Sequence, residues 1–255
     1  MPKAMASLRL LLGALSAYAL PASAQSPTAA PSANPDILIP YEAVNPREPA
    51  GDRLGSARRI AAAIVANDRP QAKLVVDVGS FTGEFLEAFM DALPKARGQW
   101  TEPVENNRVK ANRRLGRFGD RIDYKIGCPG RDISLGCVPG GVDILVSSWI
   151  SIHQNGEGIK KFYQLASDMV PSGGWVVNLD HIGFGGAAWE TRLSAGRSAA
   201  NRDGLVAMIE GPPVHHPDYK TPTIADHYAA LKAAGFDAQV VWQRFDTVLI
   251  MGRKN

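Results

Sequence analysis

The sequence predicts an α/β fold in three layers, with helices on both faces of a mostly parallel sheet of seven strands. Three observations carry this. From residue 51 onward, short apolar runs alternate with segments of helical periodicity, and strands joined through helices pair in parallel because each crossover lays its helix on the sheet. The runs are continuous, as in Leu74-Val75-Val76 and Ile144-Leu145-Val146, which suits strands covered on both sides. The last two runs, 238–242 and 247–251, are separated only by residues 243–246, and so short a link permits only an antiparallel pair.

The elements follow in order. Residues 53–66 place Leu54, Ile60, Ala61, Ile64 and Val65 near one face of a helix that Arg69-Pro70 ends. A strand over 73–78 leads to a helix over 82–93, in which Phe85, Leu86, Phe89 and Met90 recur at helical spacing. A second strand over 98–101 precedes a polar helix over 105–115, and a third runs over 122–126. The fourth strand, 142–147, and the fifth, 175–179, flank a helix over 159–169. A helix over 187–208 follows, and another over 224–234 stops at Gly235, where a left-handed cap favours glycine.

Composition bounds the functional classes. The chain has 255 residues, 45% hydrophobic and 21% charged, which excludes disorder throughout and describes one ordinary soluble domain or at most two small ones. A chain of this length buries roughly 70–75% of the surface its unfolded form exposes, so its core needs no disulfide scaffold. The net charge of +3 is spread along the chain, without the basic stripe of a nucleic-acid binder, and no nucleic-acid partner is expected. Lys3 and Arg9 before an apolar run, Pro21, and Ala22-Ser23-Ala24 before Gln25 have the pattern of a cleaved secretory signal over 1–24. Residues 25–50, rich in Pro, Ala and Ser, read as a linker, leaving a domain over 51–255. No stretch nears the roughly 20 apolar residues of a membrane span, so no stable insertion is expected after cleavage. The expected location is periplasmic or secreted, or cytoplasmic if translation starts downstream.

The informative stretch is Val76-Asp77-Val78-Gly79-Ser80-Phe81-Thr82-Gly83-Glu84. A glycine leaving a buried strand permits a sharp turn, and a second at the helix start lets a ligand approach the main chain. The spacing is not that of G-x-G-x-x-G, and the carboxylate of Asp77 would repel phosphate and welcome a cationic ligand. In these residues the chain resembles the class I S-adenosylmethionine-dependent methyltransferases, whose first motif is D-x-G-x-G-x-G; Phe81 stands where that motif has its middle glycine. The resemblance implies a Rossmann-like sandwich, S-adenosylmethionine as cofactor, and Asp77, Gly79, Ser80 and Gly83 as contacts to its amino-acid part. The alternative for Asp77 is a cap on the following helix. Glu102, nineteen residues after Gly83 at the end of the second strand, is placed to accept both hydroxyls of a ribose. The family's acid for the adenine amino group corresponds to Asp132, with Ile133 flanking the ring. Ser148, after the fourth strand, belongs at the sulfonium.

Methyl transfer is an in-line displacement on an activated carbon, so orientation and exclusion of water dominate, and a base is needed only when the acceptor must lose a proton. His153 and His181 lie after the fourth and fifth strands, at the expected mouth, and are the candidate bases; each is otherwise a hydrogen-bonded structural histidine. Asp180 is a candidate to orient His181, although neighbours at a strand end point to opposite sides. An insertion over 184–222 is expected to cover the acceptor pocket, with Trp149, His215, His216 and Tyr219 against a small-molecule acceptor. The vicinal pair His215-His216 lacks the i, i+4 spacing of a helical metal site, and no metal is expected. Cys128 and Cys137 bracket a loop by the cofactor crevice and would pair in an oxidising compartment. A second class of function is an exported protein that keeps the scaffold and binds a small ligand without turnover.

Overall fold

The computed structural model describes residues 54–127, 133, 136–202 and 219–255, without the side chains of residues 200 and 201. Within them the elements are α1 (Gly55–Asp68), β1 (Leu74–Val78), α2 (Glu84–Ala92), β2 (Arg97–Glu102), α3 (Glu105–Leu115), β3 (Ile122–Ile126), β4 (Ile144–Ser148), α4 (Gly156–Met169), β5 (Trp175–His181), α5 (Ala187–Arg202), α6 (Ile224–Ala233), β6 (Phe236–Arg244) and β7 (Thr247–Lys254). Asp132, His215, His216 and Cys128, and the predicted helix beyond Arg202, lie outside the described residues.

The seven strands form one sheet in the order β3-β2-β1-β4-β5-β7-β6. The first five pair in parallel, while β7 runs antiparallel to both β5 and β6. The chain therefore has the Rossmann-like α/β sandwich that its sequence predicts, and the order reverses after β1, where the chain leaves β3 at one edge and resumes at β4. That switch point opens a crevice beyond the carboxyl ends of β1 and β4.

Successive residues of the central strands enter opposite cores. Val75, Ile144, Val146 and Val177 pack with Ala61, Phe85, Leu86, Phe89 and Leu115 on the face covered by α1, α2 and α3. Val76, Leu145 and Val176 pack with Ile159, Phe162, Tyr163, Ala230 and Leu231 on the face covered by α4 and α6. Burial on both faces explains why these runs lack polar alternation.

The amino ends of the strands are held by charge. Asp143 accepts from Arg69 Nε at 2.9 Å and from the Lys73 and Leu74 amides at 2.7 and 3.1 Å, which docks the α1–β1 connection against the entrance to β4. Burial opposes ionisation of Asp143, but these donors and the Arg69 charge outweigh it and hold the carboxyl below the usual carboxylate range. Asp68 accepts from Trp175 Nε1 at 3.0 Å and Arg253 Nε at 2.9 Å, joining α1 to β5 and β7. With that end fixed, the carboxyl ends carry the irregular backbone.

Candidate functional site

Backbone strain locates the site independently of any motif. Among the described residues, the non-glycine residues with positive φ are Phe81 (49°), Trp149 (57°), Thr221 (39°) and Phe245 (51°). Phe81 follows β1 and Trp149 follows β4. Thr221 donates its amide to the Ile152 carbonyl at 3.2 Å just beyond β4. Phe245 lies in the β6–β7 turn, which the pairing His181↔Thr247 brings to the carboxyl end of β5. All four thus lie on one rim, and left-handed backbone of this kind persists only where its surroundings over-determine it, commonly at functional sites.

The loop after β1 is pinned by β2. Phe81 donates its amide to Glu102 Oε2 at 2.9 Å, and its carbonyl accepts from Trp100 Nε1 at 3.1 Å. Ser80 donates its amide to the Thr101 carbonyl at 3.1 Å. Phe81 thereby holds the left-handed conformation that a glycine would adopt without cost. The two flanking glycines serve the chain's own packing. At Gly79 (φ 65°) a Cβ would fall inside the Ile150 side chain, and at Gly83 (φ 86°) it would come within 2.8 Å of Leu115 Cδ1. The space that the sequence reserves for a ligand at these positions is filled by Ile150 and Leu115.

Three carboxylates stand at the strand tips. Asp77, fully buried, accepts on Oδ2 from Ser80 Oγ at 2.6 Å and from the Leu86 amide at 3.2 Å. It therefore caps the first turn of α2 from the strand end, and its buried Oδ1 has no hydrogen-bond partner. Burial raises the Asp77 carboxyl to about 7, with the Glu84 charge adding to the shift and Ser80, Leu86 and Arg58 opposing it. Glu102 accepts from Phe81, from the Val104 amide at 3.3 Å and from Asn107 Nδ2 at 3.0 Å. Asp180, also fully buried, accepts from the Ser151 amide and hydroxyl, both at 2.6 Å, from the Ile152 amide at 3.3 Å and from the His181 amide at 2.8 Å. Burial raises it to about 6, against these donors and the His181 charge. Ser147 donates to Asn178, whose amide donates to Ser151 Oγ at 3.1 Å, extending this buried network into β4 and β5.

The histidines occupy separate settings on the rim. The His181 ring lies against Trp149, centroids 4.5 Å apart. Its Nδ1 stands 3.2 Å from Thr247 Oγ1 and 3.6 Å from Asp246 Oδ2, and Asp246 also binds Arg197 of α5 at 2.5 Å. Asp246 of the hairpin turn faces the His181 ring, while Asp180 accepts from the His181 backbone amide. Burial alone would raise Asp246, but His181 and Arg197 hold it below the usual carboxylate range. His153, in the short 3-10 turn Ser151–His153, meets Tyr219 edge-on with centroids 5.1 Å apart. Lys220 and Thr221 both donate their amides to the Ile152 carbonyl, so the end of the insertion is fastened beside His153.

The structure brings Ser148, Trp149, His153, His181 and Tyr219 to the rim with the Asp77 loop, and Ser148 O lies 3.4 Å from where a Gly79 Cβ would stand. Ile133 is placed differently. It is buried in the core with Val76, Val78 and Val138, so flanking an adenine ring requires the ring to reach that core. Sequence reasoning missed Asn107, Ser151, Asn178, Arg197 and Asp246. Among the described residues, no cluster of three His, Cys, Asp or Glu side chains is placed to hold a metal.

Comparison with known proteins extends the fold. No protein-family model matches the chain, and no curated protein matches it in sequence. Solved structures do. A possible exported protein from Bordetella parapertussis has a TM-score of 0.60 at 16% identity, over 82% of this chain and 70% of that one. An O-methyltransferase family protein from Burkholderia thailandensis has 0.56 at 13% identity, over 82% and 61%. Human N-acetylserotonin methyltransferase in complex with SAM has 0.50 at 15% identity, over 84% and 59%. The chain therefore has the fold of class I S-adenosylmethionine-dependent methyltransferases, and it spans about three fifths of the length of the two methyltransferases.

Two variants test the strain and the buried acid. Phe81→Gly is expected to be more stable than Phe81→Ala by about 1 kcal/mol in denaturant unfolding, since both lose the ring and only glycine is at ease at this φ; an equal or reversed order removes the strain argument. For Asp77, the folded carboxyl lies above its unfolded value, so the native state binds the extra proton. Its contribution to stability is present below pH ~4 and is lost as pH rises toward 7. Asp77→Asn should flatten that part of the profile of urea midpoint against pH, and an unchanged slope would show that the acid titrates normally.

Proposed function

We propose that this chain is a methyltransferase that uses S-adenosylmethionine to methylate a small-molecule acceptor. The observation that carries the proposal is the pair of buried acids, Asp77 and Glu102, at the tips of adjacent strands on the strained rim of a methyltransferase fold. The residues at the rim fit the cofactor in unequal degree. Asp77 Oδ1, buried without a partner, suits an ammonium group, which would supply the missing donor and favour ionisation. Glu102, which accepts from the Phe81 and Val104 amides and from Asn107 Nδ2, stands at the tip of the neighbouring strand, where the resemblance puts the acid for the sugar hydroxyls. When bound, the cofactor supplies a methyl carbon activated by its sulfonium.

The chain's own residues supply orientation and proton transfer. His181 is the preferred base. With Nδ1 turned to Thr247 and Asp246, its ring is oriented for Nε2 to take the acceptor's proton, and the nearby Asp246 carboxylate stabilises the imidazolium that results. Trp149 fixes the ring's other face and contributes an apolar wall. His153 and Tyr219 line the neighbouring part of the rim, where the fastened end of the insertion limits water. Export to the periplasm or beyond is part of the proposal, supported by the signal-like amino terminus and by the disulfide-bonded state of Cys137.

A second function, an exported protein that binds a small ligand without turnover, is favoured by the filling of the Gly79 and Gly83 spaces by Ile150 and Leu115. Calorimetry with S-adenosylmethionine and S-adenosylhomocysteine separates the two. Micromolar binding, weakened about tenfold or more by Asp77→Ala or Glu102→Ala, is expected of the enzyme; folded protein that releases no heat favours the second function. Given an acceptor, found by a metabolite screen with labelled cofactor, His181→Ala should lower kcat by about 100-fold and leave cofactor affinity unchanged, and an unaltered kcat would remove His181 as base. Mass spectrometry of the mature protein is expected to find Gln25 as the first residue, and intact Met1 would refute cleavage.

A further inference from the structure

One side chain reaches across the mouth of the switch point. Gly79 is the first residue past β1 and Ile150 the second past β4, and the two strands are paired neighbours, with Val78 beside Ser147. The Ile150 side chain bridges them: its Cγ1 lies 3.0 Å from where a Gly79 Cβ would stand, and its Cδ1 methyl lies closer still. Ile150 belongs to the same buried cluster as Val78 and Ile133 and keeps 9% exposure, so it stands where that core meets the crevice. Its backbone is pinned. The Trp149 amide donates to the Leu179 carbonyl at 3.3 Å, the Ser151 amide donates to Asp180 at 2.6 Å, and the Ile150 carbonyl accepts from the His153 amide at 3.4 Å. What can give way is the end of the side chain, because rotation about χ2 moves the Cδ1 methyl and leaves the main chain in place.

A glycine in the turn after the first strand lets a ligand approach the main chain only when the space beside it is open. Here that space holds the end of an isoleucine. We propose that the Ile150 Cδ1 methyl is a displaceable plug on the turn after β1, and that it selects among adenosyl ligands by the length of the chain on their 5′ sulfur. The inference rests on the proposed cofactor site, in which the Gly79 turn takes the amino-acid part. A ligand that carries an amino acid on sulfur pushes the methyl out of its packed position, and the contacts given up offset part of the gain on binding. A ligand that ends in a methyl group on sulfur stops short of Gly79 and leaves Ile150 where it is. Ile150 is thus a specificity-determining residue, and Ile150→Val removes the one methyl while keeping the branch at Cβ.

The test is calorimetric titration of the purified full chain and its Ile150→Val variant with S-adenosylhomocysteine and with 5′-methylthioadenosine, which lacks the amino-acid chain. The variant is expected to bind S-adenosylhomocysteine about fourfold tighter, the equivalent of one buried methyl group, and 5′-methylthioadenosine with native affinity. A general change in packing would move both ligands alike, so an equal change for the two, or weaker binding of S-adenosylhomocysteine by the variant, overturns the inference. Should Ile150→Val fail to unfold cooperatively, Ile150→Met keeps the volume on a side chain whose end turns away more readily, and the same outcomes apply. If the native chain and the variant both give no heat with either ligand, the cofactor site falls and the inference with it; native binding of both ligands that the variant leaves unmoved overturns the inference alone.

Discussion

A carboxylate taken out of water must be solvated by the chain, and at the carboxyl rim of this sheet that requirement shapes the loops. Asp77, Glu102 and Asp180 are each at least 95% buried, and together they gather amides from the start of α2, the loop after β1, the entrance to α3 and the turn after β4. Charge-assisted bonds of this kind exceed ordinary hydrogen bonds in strength, and stripping a buried carboxylate of its donors costs several kcal/mol. The left-handed Phe81 depends on this constraint, because the Glu102 bond on its amide and the Trp100 bond on its carbonyl hold what its side chain opposes. The turn carrying His153 likewise depends on Asp180, which binds the first two amides of that segment and the Ser151 hydroxyl.

The acceptors that fasten the loops are also the ones proposed for an adenosyl cofactor, and Asp77 and Glu102 differ in their surroundings. Asp77 leaves one oxygen without a partner, and its carboxyl is pushed up to about 7, so a cationic group adds a bond and relieves a buried charge. At Glu102 the oxygens accept from the Phe81 and Val104 amides and from Asn107 Nδ2.

Much of the fold was legible in the sequence because burial on both faces writes itself into unbroken apolar runs. Residues 105–115 and 122–126 coincide with α3 and β3, and the strand order places the reversal where Asp77 and Gly79 had suggested a ligand-binding turn. The glycines were legible in position but not in purpose. Sequence shows that a side chain is missing at Gly79 and Gly83, but not that Ile150, seventy-one positions on, occupies the space. Asn107 gave no signal in a polar helix that also holds Asn106 and Asn112, since its partner is set by the approach of α3 to the β2 tip. Asp246 was hidden for a related reason. The hairpin itself was predictable, but only the register His181↔Thr247 brings its turn beside the fifth strand.

That register also couples the insertion to the histidine. Asp246 is shared between Arg197 on α5 and His181 at the end of β5, and a carboxylate shared by two cationic groups stabilises each less than it would alone. With Arg197 always charged and His181 charged only on taking a proton, the ion pair to α5 is strongest while the imidazole is neutral. Asp246 stands 2.5 Å from Arg197 and 3.6 Å from His181 Nδ1. Through one carboxylate, the end of β5 and α5 thus meet at the hairpin turn.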